Sequence, residues 1–66
     1  MNKKFHLKSA RVNAGFKQVE VAEKLGISKN TITSYEKYRT KPSIEMSQKM
    51  ADLYGLTVDD IIFFAD

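Results

Sequence analysis

Only three residues, Gly26, Ile27 and Ser28, stand between an apolar-periodic run at residues 18–25 and a second that begins at Lys29. A connection this short, with a glycine in it, admits a steep corner between two helices and little else. Gly26 is placed as the stop of the first helix and Ser28 as the N-cap of the second. Val21, Ala22 and Leu25 line one side of the first helix, and Ile27, Ile32 and Tyr35 complete an apolar seam against them. Ala22 is small enough to let the two helices approach closely. An ordinary helical hairpin inside a bundle would carry the same signature, so the corner by itself decides the local fold and not the function.

The same rules place three more helices around it. Leu7, Ala10 and Ala14 recur at helical spacing over residues 5–14, with Gly15 as a stop and Phe16 as the apolar residue expected to fold back onto the helix. Ser43 caps a fourth helix that runs to Tyr54 and ends at Gly55, after a connector at residues 38–42. Thr57 with Asp60 resembles a capping box for a fifth helix carrying Val58, Ile61 and Ile62. No stretch sustains the alternation of a strand bounded by hairpin turns. The expected fold is all-α, five helices in a single domain over residues 1–66.

A chain of 66 residues can bury one small core and little besides. It has no cysteine and a single histidine, His6, so neither a disulfide nor a metal centre is expected, and no cofactor is called for. One histidine and no clustered carboxylates leave no evident nucleophile or base, so no enzymatic activity is expected. No apolar run nears the roughly 20 residues of a bilayer span and no signal peptide is visible, which points to a cytoplasmic protein. The net charge of +3 conceals an asymmetry. Ten Lys or Arg face three Glu through Lys41, whereas one Lys faces five acids beyond it. A basic half of this kind suits a polyanion.

The helix of residues 28–37 sharpens that inference. At 100° per residue, Lys29, Thr33, Lys37, Asn30 and Ser34 fall within an arc of about 140°, with Ile32 and Tyr35 on the other side. A face that serves only solubility mixes Glu with Lys; this strip has no acid. Asn can pair with adenine, Lys can donate to guanine, and the Thr methyl can meet that of thymine. A plain basic, solvated face is the competing reading. Glu36 lies on the buried side and needs a partner there. Arg11 shares a face of the first helix with Leu7 and Ala14 and is the candidate, the alternative being two screened surface charges.

Taken together, "ARxxxG", "QxExAxxLGIS", "TITxYE" and "KPSIE" followed by "ADLYGLTVDDI" carry a resemblance over nearly the whole chain, from Leu7 to Phe64. The sequence resembles the Cro/CI-type, lambda-repressor-like (XRE) helix-turn-helix family. That resemblance implies a five-helix fold that binds double-stranded operator DNA, commonly as a homodimer, with the second helix of the motif in the major groove. It implies base reading by Lys29, Asn30 and Thr33, with Ser34 a further contact. Gln18, Ser28, Arg39 and Lys41 match positions that contact the DNA backbone, and Arg11 and Glu36 match a recurrent interhelical ion pair. Lys37 lies on the same polar strip and joins the backbone set. Two positions depart from the family pattern. Lys17 stands where an N-cap Ser, Thr or Asn is usual, a cation opposing the helix dipole unless a phosphate docks there, which makes it an expected phosphate ligand. Tyr38 stands where Gly often follows the recognition helix, either near the sugar-phosphate backbone or as an exposed turn residue.

The apolar end, residues 61–64, is expected to place Ile61 and Ile62 in the core and Phe63 or Phe64 against a twofold partner, although so small a core could also absorb both rings. Met46 and Met50 read as core and His6 as an incidental helix residue. Asn2, Lys3 and Lys4 form either a basic arm or a solvated one. The function expected is a sequence-specific DNA-binding transcriptional regulator, with repression the anticipated outcome and a bacterial or phage origin. An antitoxin whose apolar end holds a toxin is the nearest alternative, and a small protein-interaction module is the next.

Overall fold

The structure, a computed structural model, describes residues 4–64; Asn2 and Lys3 of the expected basic arm lie outside them. The chain runs β1 (Phe5–His6), α1 (Leu7–Asn13), α2 (Gln18–Leu25), α3 (Lys29–Glu36), α4 (Ile44–Tyr54), a 3-10 turn (Val58–Asp60) and β2 (Ile61–Ile62). Side chains from all four helices and from the β2 end meet in one core, where Leu7, Val21, Ile32 and Met50 are fully buried. Ala22 is buried on α2, which packs against α3 across the tight corner. Ser28 caps α3 by accepting from the Thr31 N–H at 3.1 Å, and Ser43 caps α4 by accepting from the Met46 N–H at 3.0 Å.

The helices number four among the described residues, not the five expected. The Thr57–Asp60 cap forms, with Asp60 Oδ2 accepting from both the Thr57 N–H and the Thr57 hydroxyl at 2.9 Å. Those two bonds hold the Asp60 carboxyl below the usual carboxylate range. The cap starts only a single 3-10 turn, because Ile61 is already extended at φ −121°, ψ 139°. Its β-branched side chain suits a strand, and a partner is waiting: Ile61 pairs with Phe5 and Ile62 with His6, in parallel. That pairing also shortens the first helix, which begins at Leu7 and not at Phe5.

An extended end alternates its side chains with a period of two. Ile61 and Phe63 therefore turn inward and are buried, while Ile62 is half-buried and Phe64 is 59% exposed. Of the two rings expected either against a twofold partner or in the core, Phe63 belongs to the core and Phe64 does not. Ile62, expected inside, stands at the edge of the core.

All four helices end alike. In each, the C-cap or the residue after it is left-handed, and the next N–H reaches back to the last turn: Phe16 to Arg11, Ile27 to Ala22, Arg39 to Ser34 and Leu56 to Ala51. Three of the left-handed residues are glycines, whereas the fourth is Tyr38, at φ 58°. A side chain in that conformation costs roughly 1–2 kcal/mol. The hydroxyl of Tyr38 supplies the compensation. It accepts from the Leu7 N–H at 3.3 Å, a first-turn donor of α1 that no N-cap side chain satisfies, and donates to the Ile62 carbonyl at 3.1 Å. His6 Nδ1 lies 3.1 Å from the same oxygen. With its one proton on Ile62, the phenol can only accept from His6, which places a proton on Nδ1. Neither reading of Tyr38, as a backbone contact or as an exposed turn residue, describes this role, and His6 is not an incidental helix residue. Tyr38→Phe should cost about 1–3 kcal/mol by leaving Leu7 N–H and Ile62 C=O without this partner. A thermal melt matching that of the parent would mean that water replaces the hydroxyl.

Candidate nucleic-acid interface

The polar face of α3 follows from what its other face buries. Ile32 is fully buried, Tyr35 packs on the core, and the Glu36 side chain is only 3% exposed. Lys29, Asn30 and Lys37 are left exposed, with Thr33 and Ser34 half-buried beside them. No carboxylate is exposed on α3.

Beneath that face lies a polar network. Arg11 Nε donates to Glu36 Oε2 at 2.6 Å and Nη2 to Oε1 at 3.2 Å, a two-pronged contact. Arg11 Nη1 donates to the Phe16 carbonyl at 2.8 Å, tying the α1–α2 turn into the same site. Gln18 Nε2 donates to Glu36 Oε1 at 3.0 Å, and Gln18 Oε1 accepts from the Thr33 hydroxyl at 3.2 Å. The expected Arg11–Glu36 pair thus joins the first helix to the third, with Gln18 recruited from the second. Tyr54 sits close by. Burial, reinforced by the Glu36 charge and opposed by Arg11, pushes its phenol up to about 12, and its hydroxyl finds no hydrogen-bond partner among the described residues.

Two concavities flank α3, the first strongly basic and the second polar with a single lysine. One is lined by Lys8, Arg11, Lys17, Gln18, Val19 and Lys29. The other is lined by Asn30, Thr31, Ser34, Tyr35, Thr40 and Lys41. Lys17 occupies the N-cap of α2, where its backbone N–H donates to Glu20 Oε1 at 2.8 Å. This is half of a capping box, because an ammonium has no lone pair to return. Its cation stands at the positive end of α2, the place where an anion is favoured. Gln18 keeps one amide N–H beyond the network. Ser28 uses its oxygen for the α3 cap and also meets Thr31 Oγ1 at 2.9 Å, and its side chain is exposed. Lys37 and Arg39 are exposed just past α3. Lys41 is shared between regions: its ammonium also lies 4.4 Å from the centroid of the Phe64 ring.

A family model described as helix-turn-helix matches residues 7–61. The chain belongs to that family. This helix-turn-helix protein is 35% identical over 60 residues to an uncharacterized HTH-type transcriptional regulator of Methanocaldococcus jannaschii, over 91% of each chain. It is 38% identical over 56 residues to the HTH-type transcriptional regulator ImmR of Bacillus subtilis, over 85% of this chain and 44% of that one. It is 34% identical over 56 residues to the cryptic phage CTXphi transcriptional repressor RstR of Vibrio cholerae, over 85% of this chain and 50% of that one. The chain therefore spans about half the length of the latter two. No solved structure matches it. Among the described residues, no helix is long and apolar enough to cross a membrane.

Two residues of the concavities, Lys8 and Thr40, carry no individual signal in the sequence. Lys8 lines the concavity with Lys17 and Lys29 because α1 packs beside α3, and Thr40 lines the other because the left-handed Tyr38 redirects the chain. The basic excess of the first 41 residues is the one sequence feature that points toward Lys8.

Proposed function

We propose that this DNA-binding regulator of transcription acts as a repressor, reading operator DNA with α3 in the major groove. The observation that carries the reading is the acid-free face of α3, flanked on one side by the basic concavity of Lys8, Arg11, Lys17 and Lys29 and on the other by the polar one that holds Lys41. A helix in the major groove has a phosphate strand on either side of it. Lys8, Lys17 and Gln18 would meet one strand and Thr40 and Lys41 the other, with Ser28, Lys37 and Arg39 adding backbone contacts. Lys29, Asn30, Thr33 and Ser34 would face base edges. Phosphate contacts fix register, and base contacts select sequence. The similarity to RstR, a transcriptional repressor, supports the regulatory outcome.

A homodimer completes the proposal. Ile44 is 91% exposed and Phe64 is 59% exposed, and both line one apolar groove with Pro42, Val58 and Phe63. A second copy seated there would present a second α3, so that two half-sites about one helical turn, roughly 34 Å, apart are read together.

Selection of bound duplexes from a random pool, followed by affinity measurements on the selected site and on scrambled DNA, tests the proposal. Lys29→Ala and Asn30→Ala should each cost about 1–3 kcal/mol on the selected site and relax base preference at one position. Arg39→Ala should weaken selected and scrambled DNA by the same factor. Indistinguishable behaviour of these two classes of variant would refute the division between reading and positioning residues.

A further inference from the structure

A threonine in a DNA-reading position is ordinarily ambiguous, because its hydroxyl can donate to a base or accept from one. Here the ambiguity is removed from inside the protein. Glu36, gripped by Arg11, is a carboxylate and can only accept. The Gln18 side chain beside it must therefore turn its NH2 toward Glu36, at 3.0 Å, since the opposite orientation would set oxygen against oxygen. This leaves Gln18 Oε1 toward Thr33, 3.2 Å from Oγ1. Oε1 has no proton to give, so Thr33 must supply one. The second partner of the Thr33 hydroxyl, the Lys29 carbonyl at 3.1 Å, is likewise an acceptor only. Whichever of the two receives it, the single hydroxyl proton is directed into the protein.

We propose that Thr33 is a specificity-determining residue that reads an exocyclic amino group, adenine N6 or cytosine N4, because the Arg11–Glu36–Gln18 chain leaves it only lone pairs to offer the major groove. In that groove adenine N6 and cytosine N4 are the donors, whereas guanine O6 and N7 and thymine O4 only accept. A guanine opposite the Thr33 oxygen would place acceptor against acceptor. Ser34, one residue on, has no intramolecular side-chain bond among the described residues and carries no such restriction. The two hydroxyls of the reading face therefore differ in what they select, although their chemistry is the same.

The inference rests on the proposed base-reading role of α3, and its test separates the two. Duplexes are selected with the full chain and with Thr33→Val, which keeps shape and methyl but has no oxygen. The wild-type site should contain one position per half-site restricted to adenine or cytosine, and the valine variant should lose that restriction while the positions read by Lys29 and Asn30 keep theirs. Independently, the amino group at that position is deleted, with purine in place of adenine or 2-pyrimidinone in place of cytosine. This should weaken the wild-type protein roughly 5- to 100-fold and leave Thr33→Val unchanged. Which analogue acts identifies the base. A Thr33-dependent position occupied by guanine or thymine, or a wild-type protein indifferent to loss of the amino group, would overturn the assignment and leave base reading by α3 intact. No enrichment of any duplex would overturn the base-reading proposal itself, and this inference with it.

Discussion

Glu36→Ala should remove most of the stability of the protein. The substitution strands the guanidinium of Arg11, a buried residue, with the Phe16 carbonyl at 2.8 Å as its remaining acceptor. Removing one member of a buried ion pair typically costs about 3–5 kcal/mol, because the other charge stays desolvated. A domain of this size has roughly 3–10 kcal/mol in total. The melting temperature should fall by about 15–30 °C, read by the loss of helical circular dichroism on heating. Replacing both members, as Arg11→Met with Glu36→Leu, should recover much of the loss, since the penalty comes from the orphaned charge and not from the absence of the pair. The same double variant separates folding from recognition. Gln18 would then have no carboxylate to orient its amide, so DNA affinity should remain reduced after stability returns. A Glu36→Ala protein melting within a few degrees of the parent would show that water reaches Arg11.

DNA affinity should fall steeply with salt. If a dimer neutralises about six phosphates, log K should decline with log salt at a slope near −5, a loss of about 1,000-fold between roughly 50 and 200 mM. Fluorescence anisotropy across that range gives the slope directly. Removing Arg39 should make the slope shallower by about 1 for each phosphate the side chain neutralises, whereas removing Asn30 should leave it unchanged. A slope near zero would point to a protein partner in place of DNA, because screened exposed charges are what this dependence reports.

The middle of the fold is legible in the sequence because its signals are local. Ser28, Ser43, Gly26 and Gly55 each act within a turn of where they stand, so α2, α3 and α4 are bounded as expected. The ends are not legible, because β1 and β2 are two residues each and neither is extended on its own account; each depends on a partner at the far end of the chain. Reading Ile61 and Ile62 at helical spacing follows from the Thr57–Asp60 cap, which is real but carries only one turn. Tyr38 looks like a departure at a glycine position, and nothing nearby announces that its hydroxyl serves Leu7 and Ile62. On the candidate interface, periodicity and the need to pair a buried charge are enough to infer the composition of the α3 face and the Arg11–Glu36 partnership. The direction of the Thr33 proton is beyond such reasoning. It depends on which way the amide of Gln18, on a neighbouring helix, is forced to turn.

The parallel pairing of Phe5 with Ile61 also orders events in time. Its two strands are separated by almost the whole chain, so forming it closes the largest loop available, at an entropic cost that grows with loop length. The α2–α3 corner joins neighbours in sequence and can assemble first. The reading face would therefore be shaped before the ends are zipped together, and the Tyr38 hydroxyl, which bridges α1 and β2, would act as the latch that closes last and opens first.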